Sequence, residues 1–261
     1  MKVKKFKIAA MGMYMKRCFI IVFCLVTGVI NAQFLPGELP VKQGIWDYPV
    51  KPGMEEWKQF NSNEAKVNAC QIPEEALSSL STEDLTDLCL RYPLLWDFYA
   101  FNSTNDGLDK LFRDFNGIRE LYKREDVSIY LTRRYLEKIQ SLSFLDDTNS
   151  SLEKGLFVIY VSVLEGLLSR IELQNRNKEN LKEVLQTLVT GYEGKLNYVE
   201  YFMGFGLQTN FYSRAHVIAK MEPSFVEQLP HREKNAALYS GMVADEQTVS
   251  VIDELSYQLI K

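Results

Sequence analysis

The sequence predicts an all-α protein, either an irregular helical bundle or a degenerate α-solenoid of helical hairpins. Three observations lead there. Apolar residues recur at three- and four-residue spacing over most of the chain beyond residue 54. Helix-start signals precede several of these runs. No fixed repeat period joins them, so a regular repeat protein is not indicated. With 261 residues, 46% of them hydrophobic and 25% charged, the chain has enough apolar material for a sizeable core. It divides into residues 1–32, a targeting signal; 33–53, a Pro/Gly-rich arm; and 54–261, one helical domain.

The first 32 residues carry Lys2, Lys4, Lys5, Lys7, Lys16 and Arg17 and no acid. Met15-Lys16-Arg17 leads into CFIIVFCLVTGVI, an uncharged run over residues 18–30, and then Asn31-Ala32. This is the n-region, h-region and small-residue cleavage pattern of a secretory signal, with cleavage expected after Ala32 and translation starting at Met1 or Met15. The run falls short of the about 20 apolar residues of a membrane span, so no integral span is expected after cleavage; an uncleaved anchor is the alternative. A periplasmic or extracellular location follows. The rest of the chain holds 24 basic and 34 acidic side chains, a net charge of −10. Such a surface disfavours nucleic acid as a partner.

The arm QFLPGELPVKQGIWDYPVKPG has four prolines and three glycines, which favour an extended or irregular path. Trp46 and Tyr48 either pin it to the body or grip a partner. Helical pattern begins at Met54-Glu55-Glu56-Trp57. Pro73 with Glu74 and Glu75 suits a first turn, and Ser81-Thr82-Glu83-Asp84 reads as an N-cap. Cys70 precedes the first of these short helices and Cys89 falls in the last turn of the second. Loss of Cys18 and Cys24 with the signal leaves these two alone, which in an exported chain points to a Cys70–Cys89 disulfide. Closing that loop of about 20 residues contributes roughly 3 kcal/mol in the chain-entropy model. Two buried free thiols are the alternative.

Farther along, Pro93 opens an apolar run over residues 94–101. Leu108, Leu111, Phe112 and Phe115 then follow at helical spacing, with Gly107 and Gly117 as turn punctuation. Asp126 or Ser128 starts a helix with Val127, Leu131, Tyr135, Leu136 and Ile139 on one face and Arg133, Arg134, Glu137 and Lys138 mostly in water. The stretch 152–173 is apolar on nearly every side, the mark of a central helix. Its β-branched FVIYVSV segment leaves a strand over 156–163 as the alternative. Residues 178–203 carry the clearest amphipathic stripe, running from Leu181 through Leu188 and Leu196 to Val199. Gly191 and Gly194 weaken that helix by about 1 kcal/mol each unless a neighbour packs closely. The last helix, over 245–260, buries Val249, Ile252, Leu255 and Leu259.

The segment from IPEEALSSLSTEDLTDLCLRYPLLWDFYAFN through GLDKLFRDFNGIRELYKREDVSIYLTRRYLEK resembles the N-terminal part of a group of uncharacterised secreted proteins of Bacteroides-type gut bacteria, in which an IPE, ST, LCL, YPL, FNG, REL progression follows a signal peptide. The likeness covers residues 70–140. It implies export and a helical fold and brings no catalytic residues.

No HExxH, GxSxG, P-loop or Rossmann fingerprint is present. His216 and His231 have no acid or cysteine at zinc-site spacing, so neither a metal nor another cofactor is expected. Asn102 to Gly107 has the glycine of a calcium loop, but Arg113 stands where its bidentate Glu belongs; the segment reads as a capped turn between helices. The sequons at Asn102 and Asn149 say little outside a eukaryotic secretory pathway. Glu165, amid the most apolar helix, is either a general acid with a raised pKa or a structural acid, at a helix boundary with solvent or paired with Arg170 or a neighbouring helix. The aromatic, glycine-broken stretch with Tyr198, Tyr201, Phe205, Tyr212, Arg214 and His216 is either a binding surface for peptide or glycan or a corner filling the core. Together these features favour a non-enzymatic exported protein that binds a protein, peptide or envelope component. The alternative is a hydrolase of envelope or dietary glycans, which needs paired carboxylates in a cleft.

Overall fold

The computed structural model describes residues 42–146, 148–170, 178–229, 233–234, 236–243 and 245–261, apart from the side chains of Lys178 and Phe205. Residues 1–32, where a signal is expected, arm residues 33–41, Cys18, Cys24 and His231 lie outside the described residues. The architecture is all-α. Short helices come first: α1 Glu55–Lys58, α2 Asn63–Ala69, α3 Glu74–Ser79, α4 Thr82–Leu90, α5 Thr104–Asp114 and α6 Asn116–Leu121. Longer ones follow: α7 Val127–Gln140, α8 Ser151–Ser169, α9 Lys178–Lys195, the single turn α10 Val199–Phe202, α11 Phe205–Met221, α12 Ser224–Gln228 and α13 Glu246–Leu259.

Local chemistry sets the boundaries. Ser81 accepts from the amide of Asp84 at 3.1 Å, Ser103 from Asp106 at 3.0 Å and Asp245 from Thr248 at 2.7 Å, each satisfying an orphan N–H of a first turn. Ser150 and Glu153 form a full capping box at the start of α8. That reciprocal cap, with apolar side chains all round, makes residues 156–163 helix and overrides their β-branched content. Gly107 and Gly117 sit inside α5 and α6 rather than in turns, because each lies where a helix meets another chain segment. A Cβ at Gly107 would overlap the Phe98 carbonyl oxygen.

The longer helices form a ring in which α7 packs on α8, α8 on α11, α11 on α9 and α9 back on α7. Helix α13 covers α9 and α11, while α4 and α6 extend the core beyond α7. Among the described residues, no helix is long and apolar enough to cross a membrane.

The described part of the arm is pinned to the body. Tyr48 is buried, donates to the Leu88 carbonyl at 3.0 Å and meets Trp46 edge to face at 5.1 Å. Beside it, Arg134 of α7 forks onto both oxygens of Asp87 in α4 at 2.7 and 2.9 Å, a bidentate pairing that fixes the two helices. Lys42 of the arm bonds Asp84 at 2.6 Å.

The expected Cys70–Cys89 disulfide is corrected: both are free, buried cysteines. Cys70 ends α2 and Cys89 lies within α4, each facing apolar core, and burial pushes the Cys70 thiol up to about 12 and that of Cys89 well above 9.0. Thiols held neutral in apolar surroundings behave as small hydrophobes. In the native protein both should resist alkylation by iodoacetamide, and both should label without reductant once urea is added. Failure of either to label in urea would restore the disulfide.

Burial also raises Tyr48, Tyr92, Tyr99 and Tyr135 above the ordinary phenol value of 10.0. The unfolded chain gives up these protons and those of the thiols at lower pH than the folded chain does. Their contribution is therefore complete below the unfolded values and is lost as pH climbs toward the folded ones. Lys195, lowered from 10.5 chiefly by burial, acts in the opposite sense and is outnumbered. The urea midpoint should fall continuously from about pH 9 to about pH 11, the range in which free thiols and phenols ionise. A flat profile there would contradict this reading of the core.

Candidate functional site

The centre of the ring holds a polar cluster. Glu165 of α8 is 0% exposed, and its Oε1 accepts from Tyr135 of α7 at 2.5 Å, Lys195 of α9 at 2.6 Å and Asn210 of α11 at 2.8 Å. Each wall of the bundle thus supplies one member. Lys195 Nζ also donates to the Gly206 carbonyl at 3.0 Å, and Asn210 Nδ2 to the Leu188 carbonyl at 3.0 Å. Ser213 donates to the Glu165 backbone carbonyl at 2.9 Å. The Phe202 ring lies 4.9 Å from Lys195 Nζ and helps close the cluster from water. Glu165 Oε2 and Asn210 Oδ1 have no hydrogen-bond partner among the described residues.

Packing explains why the cluster fits. A Cβ at Gly191 of α9 would overlap the Tyr135 hydroxyl oxygen and stand 2.7 Å from Cε1 of its ring, so only glycine lets the phenol cross to Glu165. At Gly194 a Cβ would meet Leu142 at 3.1 Å and Ile139 at 3.2 Å. These are the close neighbours that make two mid-helix glycines tolerable. Burial comes first among the causes that lower Lys195, and the Glu165 carboxylate opposes it. Tyr135 is held well above 10.0 by burial and then by the Glu165 charge.

Glu165 is therefore paired with a neighbouring helix, and its cation is Lys195. Arg170 instead bonds Asp109 at 2.6 Å and Asn105 at 2.7 Å. Glu165 has no exposed surface on which a glycan could reach it, whereas glycan hydrolysis needs its acids in an open cleft.

The aromatic stretch separates into core and surface. Tyr212 and Arg214 are 0% exposed and so do not line a surface. Arg214 is held between the rings of Tyr192 at 4.4 Å and Phe211 at 5.2 Å. Its Nη2 stands 2.8 Å from Asp253, near enough for an ion pair but not aligned as a hydrogen bond. The Tyr212 ring lies 4.3 Å from that of His216, whose Nε2 is 2.8 Å from the Leu238 carbonyl. Phe205 opens α11, and its side chain lies outside the described residues. Tyr198 and Tyr201 are half-buried, in the corner where α9 ends at Lys195 and the chain turns through α10 to Gly204, at φ +82°. That corner exposes Leu196 (39%) and Met203 (45%).

Reasoning from the sequence missed Lys195, Asn210 and Tyr135 as partners of Glu165. One signal was present: Lys195 follows Leu181 and Leu188 at seven-residue steps, placing a cation on the apolar stripe. Comparisons with protein-family models, with curated proteins and with solved structures return no match to this chain.

Proposed function

We propose that this is an exported, non-enzymatic helical protein that binds an apolar segment of a partner protein or peptide of the cell envelope through the corner between α9 and α11. The observation that carries the reading is the exposure of Leu196 and Met203 beside the half-buried Tyr198 and Tyr201. Large apolar side chains grouped with aromatic ones at a surface are the usual composition of a binding patch. The basic, apolar and small-residue succession over residues 1–32 supports export.

The test combines two surface changes. Leu196→Asp with Met203→Asp should leave the far-ultraviolet circular dichroism and thermal midpoint of the protein nearly unchanged and should abolish recovery of the partners that cross-link to the wild-type chain on living cells. Recovery of the same partners by the double variant would overturn the corner as the binding surface. Fusion of residues 15–40 to a reporter should yield an exported product that begins at Gln33.

A further inference from the structure

We propose that Lys195 and Asn210 become joined by an isopeptide bond, formed by the protein itself with Glu165 as the proton carrier. The inference does not rest on the binding reading. It stands on a juxtaposition: one carboxylate oxygen holds an amine at 2.6 Å and a carboxamide at 2.8 Å, and all three residues are 0% exposed. Amines and amides do not condense in water, because the amine is protonated there and the amide is a poor acyl donor. Enclosure changes both conditions. Burial favours the neutral amine, in line with the lowered Lys195, and a carboxyl group touching both nitrogens can take a proton from one and give it to the other. The amide orientation is fixed independently, since Asn210 Nδ2 donates to Leu188 as well as to Glu165.

The step balances without a co-reactant. Glu165 takes one proton from the ammonium of Lys195. The free amine attacks Cγ of Asn210, and a C–N bond forms to give a tetrahedral carbon. The Glu165 carboxyl protonates Nδ2, the Cγ–Nδ2 bond breaks and ammonia leaves. Glu165 then accepts a second proton from the new amide nitrogen and remains as a neutral acid. No charge is left in the core, which removes the desolvation cost of the original pair. Bound to one carboxylate oxygen in an enclosed site, the two groups are confined near each other, which raises their effective concentration. Tyr135, donating to the same oxygen at 2.5 Å, is a positioning residue for the carboxyl group. The product ties the end of α9 to the second turn of α11 across the corner that carries Leu196 and Met203.

Intact mass spectrometry of the purified, signal-cleaved protein should give a mass lower than that of its sequence by one ammonia beyond the one that cyclisation of the N-terminal Gln33 expels, which the N-terminal peptide reads separately. Proteolysis should then yield a branched peptide joining Lys195 to Asn210. Asn210→Asp should lose one water in place of that ammonia, and a folded Glu165→Gln variant should lose nothing beyond the Gln33 ammonia. A wild-type mass lowered by no more than the Gln33 ammonia overturns the proposal without recourse to any variant. So does a branched peptide joining Lys195 to Glu165 with loss of water, which would make the carboxyl group the acyl donor.

Discussion

Lys195→Met should lower the unfolding free energy by about 3–5 kcal/mol relative to the protein before its Lys195–Asn210 bond forms, the cost of leaving a buried charge without its partner. Glu165 has no route to water, and the two remaining donors on its Oε1, Tyr135 and Asn210, are neutral. Adding Glu165→Gln should recover roughly 1–3 kcal/mol relative to the single variant, because a neutral amide is far cheaper to bury than an orphan carboxylate. Urea unfolding followed by circular dichroism measures both values. A Lys195→Met variant within about 1 kcal/mol of the wild type would mean that the cluster is not held as a charged, enclosed unit, since exposed pairs are worth no more than that.

Gly191→Ala should destabilise the protein by about 3 kcal/mol, although alanine is the better helix former by about 1 kcal/mol. The added methyl has nowhere to go: it meets the Tyr135 ring at 2.7 Å and displaces a hydroxyl that donates to Glu165 at 2.5 Å. Overpacking of this kind costs about 1–3 kcal/mol, and loss of a hydrogen bond to a charged group adds about 1.5–3 kcal/mol. Gly155→Ala in α8 is the internal control. A Cβ there meets nothing within 4 Å, so the same substitution should stabilise by about 0.5–1 kcal/mol. Opposite signs for the two changes, read as shifts in thermal midpoint, would establish that the phenol crossing and not helix propensity decides the first. Equal signs would refute the packing account.

Much of the fold was legible because helices are written locally. The caps at Ser81 and Asp245 and the stripe along α9 are patterns of a few residues each, and they form where they are written. The ambiguity over residues 156–163 arose from weighing β-branched residues without the cap six residues upstream, where Ser150 and Glu153 commit the chain to helix. The disulfide was inferred from a residue count and a compartment. Neither carries information about side-chain direction, and the two thiols point into apolar packing instead.

The cluster was half legible. An acid in the middle of an apolar helix announces that something must answer it, and Glu165 stood out for that reason. Which groups answer depends on how four helices are arranged in space, and Tyr135 and Asn210 sit 30 and 45 residues away along the chain. Tyr135 read as one more apolar position of its helix, which it also is: its ring fills the space that Gly191 leaves. Tyr212 and Arg214 stood between surface and core, because a polar atom on a flat, stackable body suits either place; the core uses both bodies.

Apolar helices can slide against one another at small cost, since one leucine fills a hole much as another does. A slip of one turn along any wall of this ring would carry its polar member about 5.4 Å from Glu165. The misaligned bundle would enclose a bare carboxylate or a bare ammonium and would be rejected by several kcal/mol, whereas its greasy contacts alone would scarcely register the error. The Glu165 cluster therefore works as a proofreading device of assembly: four helices drawn from distant parts of the chain must arrive in one alignment, and only that alignment lets the charges disappear from the interior.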